Sequence, residues 1–191
     1  MALRTGRFTL GPADGTVLIR TGREGAAARV GHDLILVATR WRAVVHVDAR
    51  VPTRSTVRAV VEAASLEVRE ASGGALSLTE SQKAEIETNT REDVLLSRRH
   101  PKITFTSTAV DGDAKRALVT GRLAIAGKTR EAALAVRVDA RSTLPRVRAT
   151  MSIVQTDFGI TPYSALLGAL RVKDAVELSV DVRLPAGPAR R

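Results

Sequence analysis

Apolar and polar residues alternate in short runs along nearly the whole chain, and this period of two constrains the fold more than any other property. Val57-Arg58-Ala59-Val60-Val61-Glu62, Ser65-Leu66-Glu67-Val68-Arg69 and Val176 through Val182 alternate clearly. Ile103-Thr104-Phe105-Thr106, Gly121-Arg122-Leu123-Ala124-Ile125 and Leu134-Ala135-Val136-Arg137-Val138 follow the same pattern. Successive side chains of a strand point to opposite faces, so such runs read as half-buried strands. The stretches 16–20, 33–37 and 41–48 are rich in β-branched and apolar residues and read the same way. Turn residues fall between the runs: Ser72-Gly73-Gly74, Asp111-Gly112-Asp113 and Ala126-Gly127-Lys128. Such short connections join antiparallel neighbours, which predicts a meander in the second half.

One segment departs from this period. Thr79-Glu80-Ser81-Gln82 has the Thr-x-x-Gln form of a capping box, and helical spacing predicts an α-helix over 80–98, ended by Pro101. The alternation also lapses at 162–170, where a short second helix or an ordered loop is expected. About ten strands with one embedded helix describe an all-β chain. An antiparallel sheet of that extent must hide its edges, and closure hides them completely. The expected fold is therefore all-β, an extended antiparallel β-barrel of about eight strands with the helix inserted. No linker or shift in composition precedes Pro185, so one domain is expected over 1–184 with a flexible tail at 185–191. A barrel of about eight strands can hold one small ligand, and apolar walls point to a hydrophobic one.

Composition closes off several chemistries. The 191 residues include no Cys, which excludes a disulfide scaffold, Cys-ligated zinc and a thiol nucleophile. Thirty Lys and Arg against twenty Asp and Glu leave a net charge of +10, the usual footprint of a nucleic-acid binder. Yet most of the basic residues are scattered arginines, and five aromatic residues provide few platforms for stacking bases. No nucleic-acid partner is expected. Residues 1–20 contain no apolar signal region and no run is long enough to cross a bilayer, so a cytoplasmic location is expected. His32, His46 and His100 match no metal-ligand spacing, no Gly-x-Ser-x-Gly elbow anchors a hydrolase triad, and the glycines at 121 and 127 sit in a strand and turn rather than before a helix. No metal, cofactor or catalytic residue is expected.

Several blocks together carry a resemblance. They include Thr16-Val17-Leu18-Ile19, Gly31-His32-Asp33-Leu34 and His100-Pro101-Lys102-Ile103-Thr104-Phe105-Thr106-Ser107-Thr108. They continue with Gly121-x-Leu123-x-Ile125-x-Gly127-x-Thr129-Arg130, then Phe158-Gly159-Ile160 and Gly168-x-Leu170-x-Val172-x-Asp174-x-Val176-x-Leu178. In order and spacing the chain resembles the YceI-like family of polyisoprenoid-binding, lipocalin-like proteins. That resemblance implies a barrel whose elongated cavity takes a long amphiphile, such as a polyprenyl phosphate or an isoprenoid quinone, without catalysis. The chain is short of aromatic residues for such a cavity, so mainly aliphatic walls are expected.

The cavity wall expected from alternation and resemblance comprises Leu34, Leu36, Phe105, Leu123, Ile125, Leu134, Val136 and Phe158. Alternation alone cannot separate a cavity wall from a filled core. His32, Tyr163 and Leu167 are the expected portal or head-group residues, while Trp41 is a candidate plug for one barrel end. The expected partners are an isoprenoid or other lipid-like ligand and, transiently, an anionic membrane surface; a homodimer is compatible with this reading. The rival readings are a dry-cored stress-associated or interaction protein of the same fold and, third, a basic nucleic-acid-associated protein.

Overall fold

The computed structural model describes residues 3–185 apart from residue 75. Of the tail expected at 185–191, residues 186–191 lie outside the described residues. The strands of the first half are β1 (Gly6–Leu10), β2 (Gly15–Thr21), β3 (Arg23–Glu24), β4 (Asp33–Ala38), β5 (Trp41–Val47), β6 (Thr56–Glu62) and β7 (Leu66–Ser72). Helix α1 (Glu80–Asn89) separates them from β8 (Lys102–Gly112), β9 (Arg116–Ile125), β10 (Lys128–Asp139), β11 (Arg146–Val154), β12 (Ser164–Ala165), β13 (Leu170–Val172) and β14 (Ala175–Arg183).

Among the described residues, eleven strands form one antiparallel sheet in the order β1-β5-β6-β8-β9-β10-β11-β14-β2-β4-β7, curled into a half-barrel. The strands β12, β13 and β3 form a small second sheet. The expected meander is present as β8-β9-β10-β11. The expected strand number of about eight is corrected to eleven, for a topological reason. Strand β4 runs on into β5 across Thr39 and Arg40, and β6 runs on into β7 through a 3-10 turn at Ala63–Ser65. Thr39 N donates to Ser65 O at 3.0 Å and Glu62 N to Arg40 O at 3.0 Å, so pairing persists through the corner. One bent two-stranded ribbon thus ties the two flanks of the sheet together. The ribbon contributes β5 and β6 to one flank and β4 and β7 to the other, and β1 adds an edge outside β5.

Alternation sets the inner face. On β9, Val119, Leu123 and Ile125 are buried, and on β11 Ala149, Met151 and Ile153 are buried. Gly121 belongs to the same inward row as Leu123. A Cβ there would stand 2.6 Å from Phe105 Cζ and 2.6 Å from Thr106 O, so only glycine lets the Phe105 ring lie across β9. On the outer face, Arg146 grips Asp181 through both carboxylate oxygens, at 2.6 and 2.5 Å, and Arg148 adds a contact at 3.3 Å.

These arginine hydrogen bonds hold the Asp181 carboxyl below the usual carboxylate range. A depressed native value contributes stability that is full above the unfolded value, about 3.9, and is lost as pH falls through the native value. Asp181→Asn should therefore cost about 1 kcal/mol at neutral pH in urea unfolding, a small value because water screens the pair. The difference from the parent protein should shrink on acidification. A difference that persists unchanged into the acid range would rule out this ion pair as its source.

Helix α1 is capped as its sequence predicts. Gln82 N donates to Thr79 Oγ1 at 3.2 Å, and Thr79 N donates back to Gln82 Oε1 at 2.9 Å. The helix is shorter than the expected 80–98. After Asn89 it loosens into a π-helical turn at Thr90–Val94, and at Leu96 the chain takes a φ of 50°. The amides of Arg99 and His100 then both donate to Leu96 O, which turns residues 95–98 out of the helix and toward β8. At 162–170 the chain forms β12, a single 3-10 turn at Leu166–Gly168 and the start of β13, so the ordered-loop alternative describes it.

Candidate functional site

The inner face is divided along the length of the strands. At one end it encloses a cavity of about 380 Å³. Leu123 and Ile125 of β9 line it, but Val119 of the same inward row does not. Likewise Ile153 lines it without Ala149 or Met151, and Val176 and Leu178 line it without Val180 or Val182. Every contributing strand therefore delivers its side chains from the same end. At the other end the inward rows meet and pack.

The rest of the wall comes from Val17, Ile19 and Thr21 on β2, Leu34 and Leu36 on β4, Val61, Leu66 and Ile103. Helix α1 and the π-helical turn cover one side with Gln82, Ile86, Asn89, Thr90 and Val94, whose spacing puts the first four on one helical face. Two side chains fasten this cover to β7. Glu87 accepts from Val68 N at 2.8 Å, and Arg91 donates to Leu66 O at 3.1 Å while pairing with Glu87 at 3.0 Å. The π-helical turn carries Val94 in the wall, one face on from Ile86 and Thr90.

Polar groups sit mainly at the mouth. Arg23 Nη1 donates to Gly31 O and to Ser72 O, each at 2.9 Å, which ties the start of β4 to the end of β7. His32 Nε2 lies 2.8 Å from Leu76 O, which orders the segment leading to α1. Arg171 lies on the rim, exposed, 3.7 Å from Glu24. Deeper in the wall, Gln155 is buried and spends its Nε2 on Lys173 O at 2.9 Å. Asp174 fixes the turn that carries Gln155. The Thr156 hydroxyl and amide donate to its carboxylate at 2.6 and 2.9 Å, and these bonds lower its pKa. Thr21 Oγ1, also in the wall, is buried without a hydrogen-bond partner among the described residues.

The structure brings together Leu34, Leu36, Leu123 and Ile125 in the wall, with His32 and Tyr163 at the rim. Four of the residues expected in the wall are elsewhere. Phe105 is buried against Gly121, and Leu134 is buried opposite Val119 in the packed end. Val136, half-buried, sits opposite Ala149 in that same end. Phe158 is buried in a 3-10 turn at Gln155–Phe158. Leu167 does not line the cavity; its side chain projects into solvent, 110% exposed. Trp41 is buried in the core with no partner for its Nε1 among the described residues.

The wall residues not singled out from sequence are chiefly Ile19, Ile103, Ile153, Val176, Leu178 and those of α1. Each strand residue among them occupies the same inward parity as a residue that was chosen, so strand register was the missing signal. Among the described residues, no three His, Asp or Glu side chains converge as metal ligands would. His46 lies exposed on β5 opposite Arg7 and Thr56, and His100 packs over the Gly127 turn.

Comparison with known proteins agrees with this architecture. A family model, described as YceI-like domain, matches residues 26–184. The solved structure of Burkholderia cenocepacia BcnA is similar at a TM-score of 0.66 and 15% identity, covering 87% of this chain and 95% of that chain. The Campylobacter jejuni YCEI protein is similar at a TM-score of 0.57 and 16% identity, covering 85% and 86% respectively. Likeness at such identity concerns the fold. No curated protein matches the chain.

Proposed function

This chain belongs to the YceI-like domain family, and on that premise we propose that it binds and carries a long apolar amphiphile, of the polyisoprenoid or isoprenoid-quinone class, without catalysing its conversion. The observation that carries this reading is the hollow end of the barrel: about 380 Å³ walled by aliphatic side chains, with charged groups confined to the mouth. That volume falls within the usual range of ligand pockets, about 300–1,000 Å³. Removal of apolar surface from water drives binding at ~25 cal/mol per Å², less the cost of ordering a flexible chain. Thr21 Oγ1 offers a hydrogen bond inside the wall to a hydroxyl or carbonyl oxygen of the ligand. Arg171 and His32 stand where an anionic or oxygen-rich head group would emerge, and a guanidinium pairs well with phosphate.

Native mass spectrometry of the purified protein is the direct test. The expected spectrum contains a species heavier than the polypeptide, and organic extraction of the same sample releases the added mass as a lipid. A spectrum showing only the bare chain, both as purified and after incubation with a polyprenyl phosphate, would favour a dry barrel and defeat this reading.

A further inference from the structure

The four most exposed large hydrophobic side chains among the described residues are Leu167, Leu76, Leu166 and Val30, at 110, 82, 59 and 51%. All four surround the cavity mouth. Val30 lines the cavity itself, and Leu76 follows His32 through the contact between its carbonyl and Nε2. Leu166 and Leu167 form the tip between Tyr163 and Leu170, two rim residues. Both tip residues hold left-handed backbone, with φ of 51° and 55°, a region that residues with a Cβ seldom occupy. Neither is buried among the described residues, so the packing that usually offsets such a conformation is small for Leu166 and smaller still for Leu167.

Basic residues flank the same tips. Arg29, Arg171 and Lys173 are exposed, and Arg29 and Lys173 make no ion pair among the described residues. Of the nearby acids, Glu24 pairs with Arg171 and Asp33 with Arg23, while Asp174 remains ionised and is held by Thr156. We propose that this rim docks on an anionic lipid bilayer. Leu76, Leu166 and Leu167 would enter among the acyl chains, with Arg29, Arg171 and Lys173 against the head groups. The tips come from separate segments and project outward, a shape suited to a yielding lipid surface rather than to a fitted groove. The cavity opens between them, so docking gives an apolar chain a continuous path from bilayer to barrel. This deepens the carriage proposal and rests on it for its purpose, while its geometry stands apart.

The test is co-sedimentation of the full chain with vesicles of phosphatidylcholine alone and of phosphatidylcholine with phosphatidylglycerol, at low and raised salt. Binding is expected to the phosphatidylglycerol vesicles and to weaken as salt screens the rim. Leu167→Asp, alone and combined with Leu166→Asp, should lower partition about tenfold or more, given the apolar area withdrawn from lipid. Leu118→Asp, at a leucine 48% exposed on β9 and away from the mouth, should leave binding unchanged. Circular dichroism should show all variants folded. The proposal falls if the parent protein ignores phosphatidylglycerol vesicles, or if the tip variants bind as well as the parent. It falls too if Leu118→Asp lowers binding equally, or if the parent is a dimer that Leu167→Asp dissociates. An empty barrel whose vesicle binding is still lost in the tip variants would uphold docking and overturn carriage.

Discussion

Leu123→Trp is expected to abolish lipid retention while leaving the protein nearly as stable as before. Leu123 is 3% exposed and borders the hollow end, so an indole at this position has space to enter. The new ring would occupy volume proposed for the ligand. Overpacking a filled core costs about 1–3 kcal/mol, whereas entry into a vacant cavity should cost less than about 1 kcal/mol. Bound lipid per polypeptide, read by native mass spectrometry, should drop to background, with the thermal midpoint measured in parallel. Retention of lipid at the parental level would show that the ligand lies elsewhere. A large loss of stability would show that this end of the barrel is already full.

Phe105→Ala should have the opposite signature. Phe105 is 6% exposed and its ring lies over Gly121 in the packed end, so truncation leaves a void that the sheet cannot collapse. A loss of about 3–5 kcal/mol is expected, which lowers the midpoint by roughly 10 °C in a chain of this size. Lipid occupancy per folded molecule should stay at the parental level, because Phe105 does not border the cavity. If Phe105→Ala emptied the barrel and Leu123→Trp did not, the division between hollow and packed ends would be reversed.

The contrast between these two residues marks where sequence reading stops. Both lie on alternating strands and both point inward, and period two reports only that parity. Whether an inward side chain meets a partner or a void depends on its distance along the barrel. Register fixes that distance for Leu134, which faces Val119. Phe105, by contrast, lies directly across from the wall residue Leu123 and is taken out of the wall by the lean of its ring over Gly121. The strands, the capping box at Thr79 and the meander were readable because each depends on residues within a few positions of one another. The ribbon corner was not, since Thr39 and Ser65 are joined by backbone bonds that leave no mark on composition. Leu167 was singled out as a portal residue because it broke the alternation. It sits at the mouth, but its left-handed backbone turns the side chain away from the wall.

The pairing of β2 with β14 also bears on how the chain folds. Most neighbours in the sheet are close in sequence, and hairpins such as β8-β9 close over only a few residues. The Arg20 to Glu177 contact, by contrast, spans 157 residues. Closure entropy grows with the logarithm of loop length, so joining these strands from an open chain costs roughly 2 kcal/mol more than closing a ten-residue hairpin. The penalty shrinks if the intervening meander and ribbon form first and shorten the effective loop. Non-local closure of this kind slows folding. Until β14 arrives, β2 offers an unpaired edge, and the seam of the barrel is the interval in which the nascent chain is most open to pairing with a neighbour.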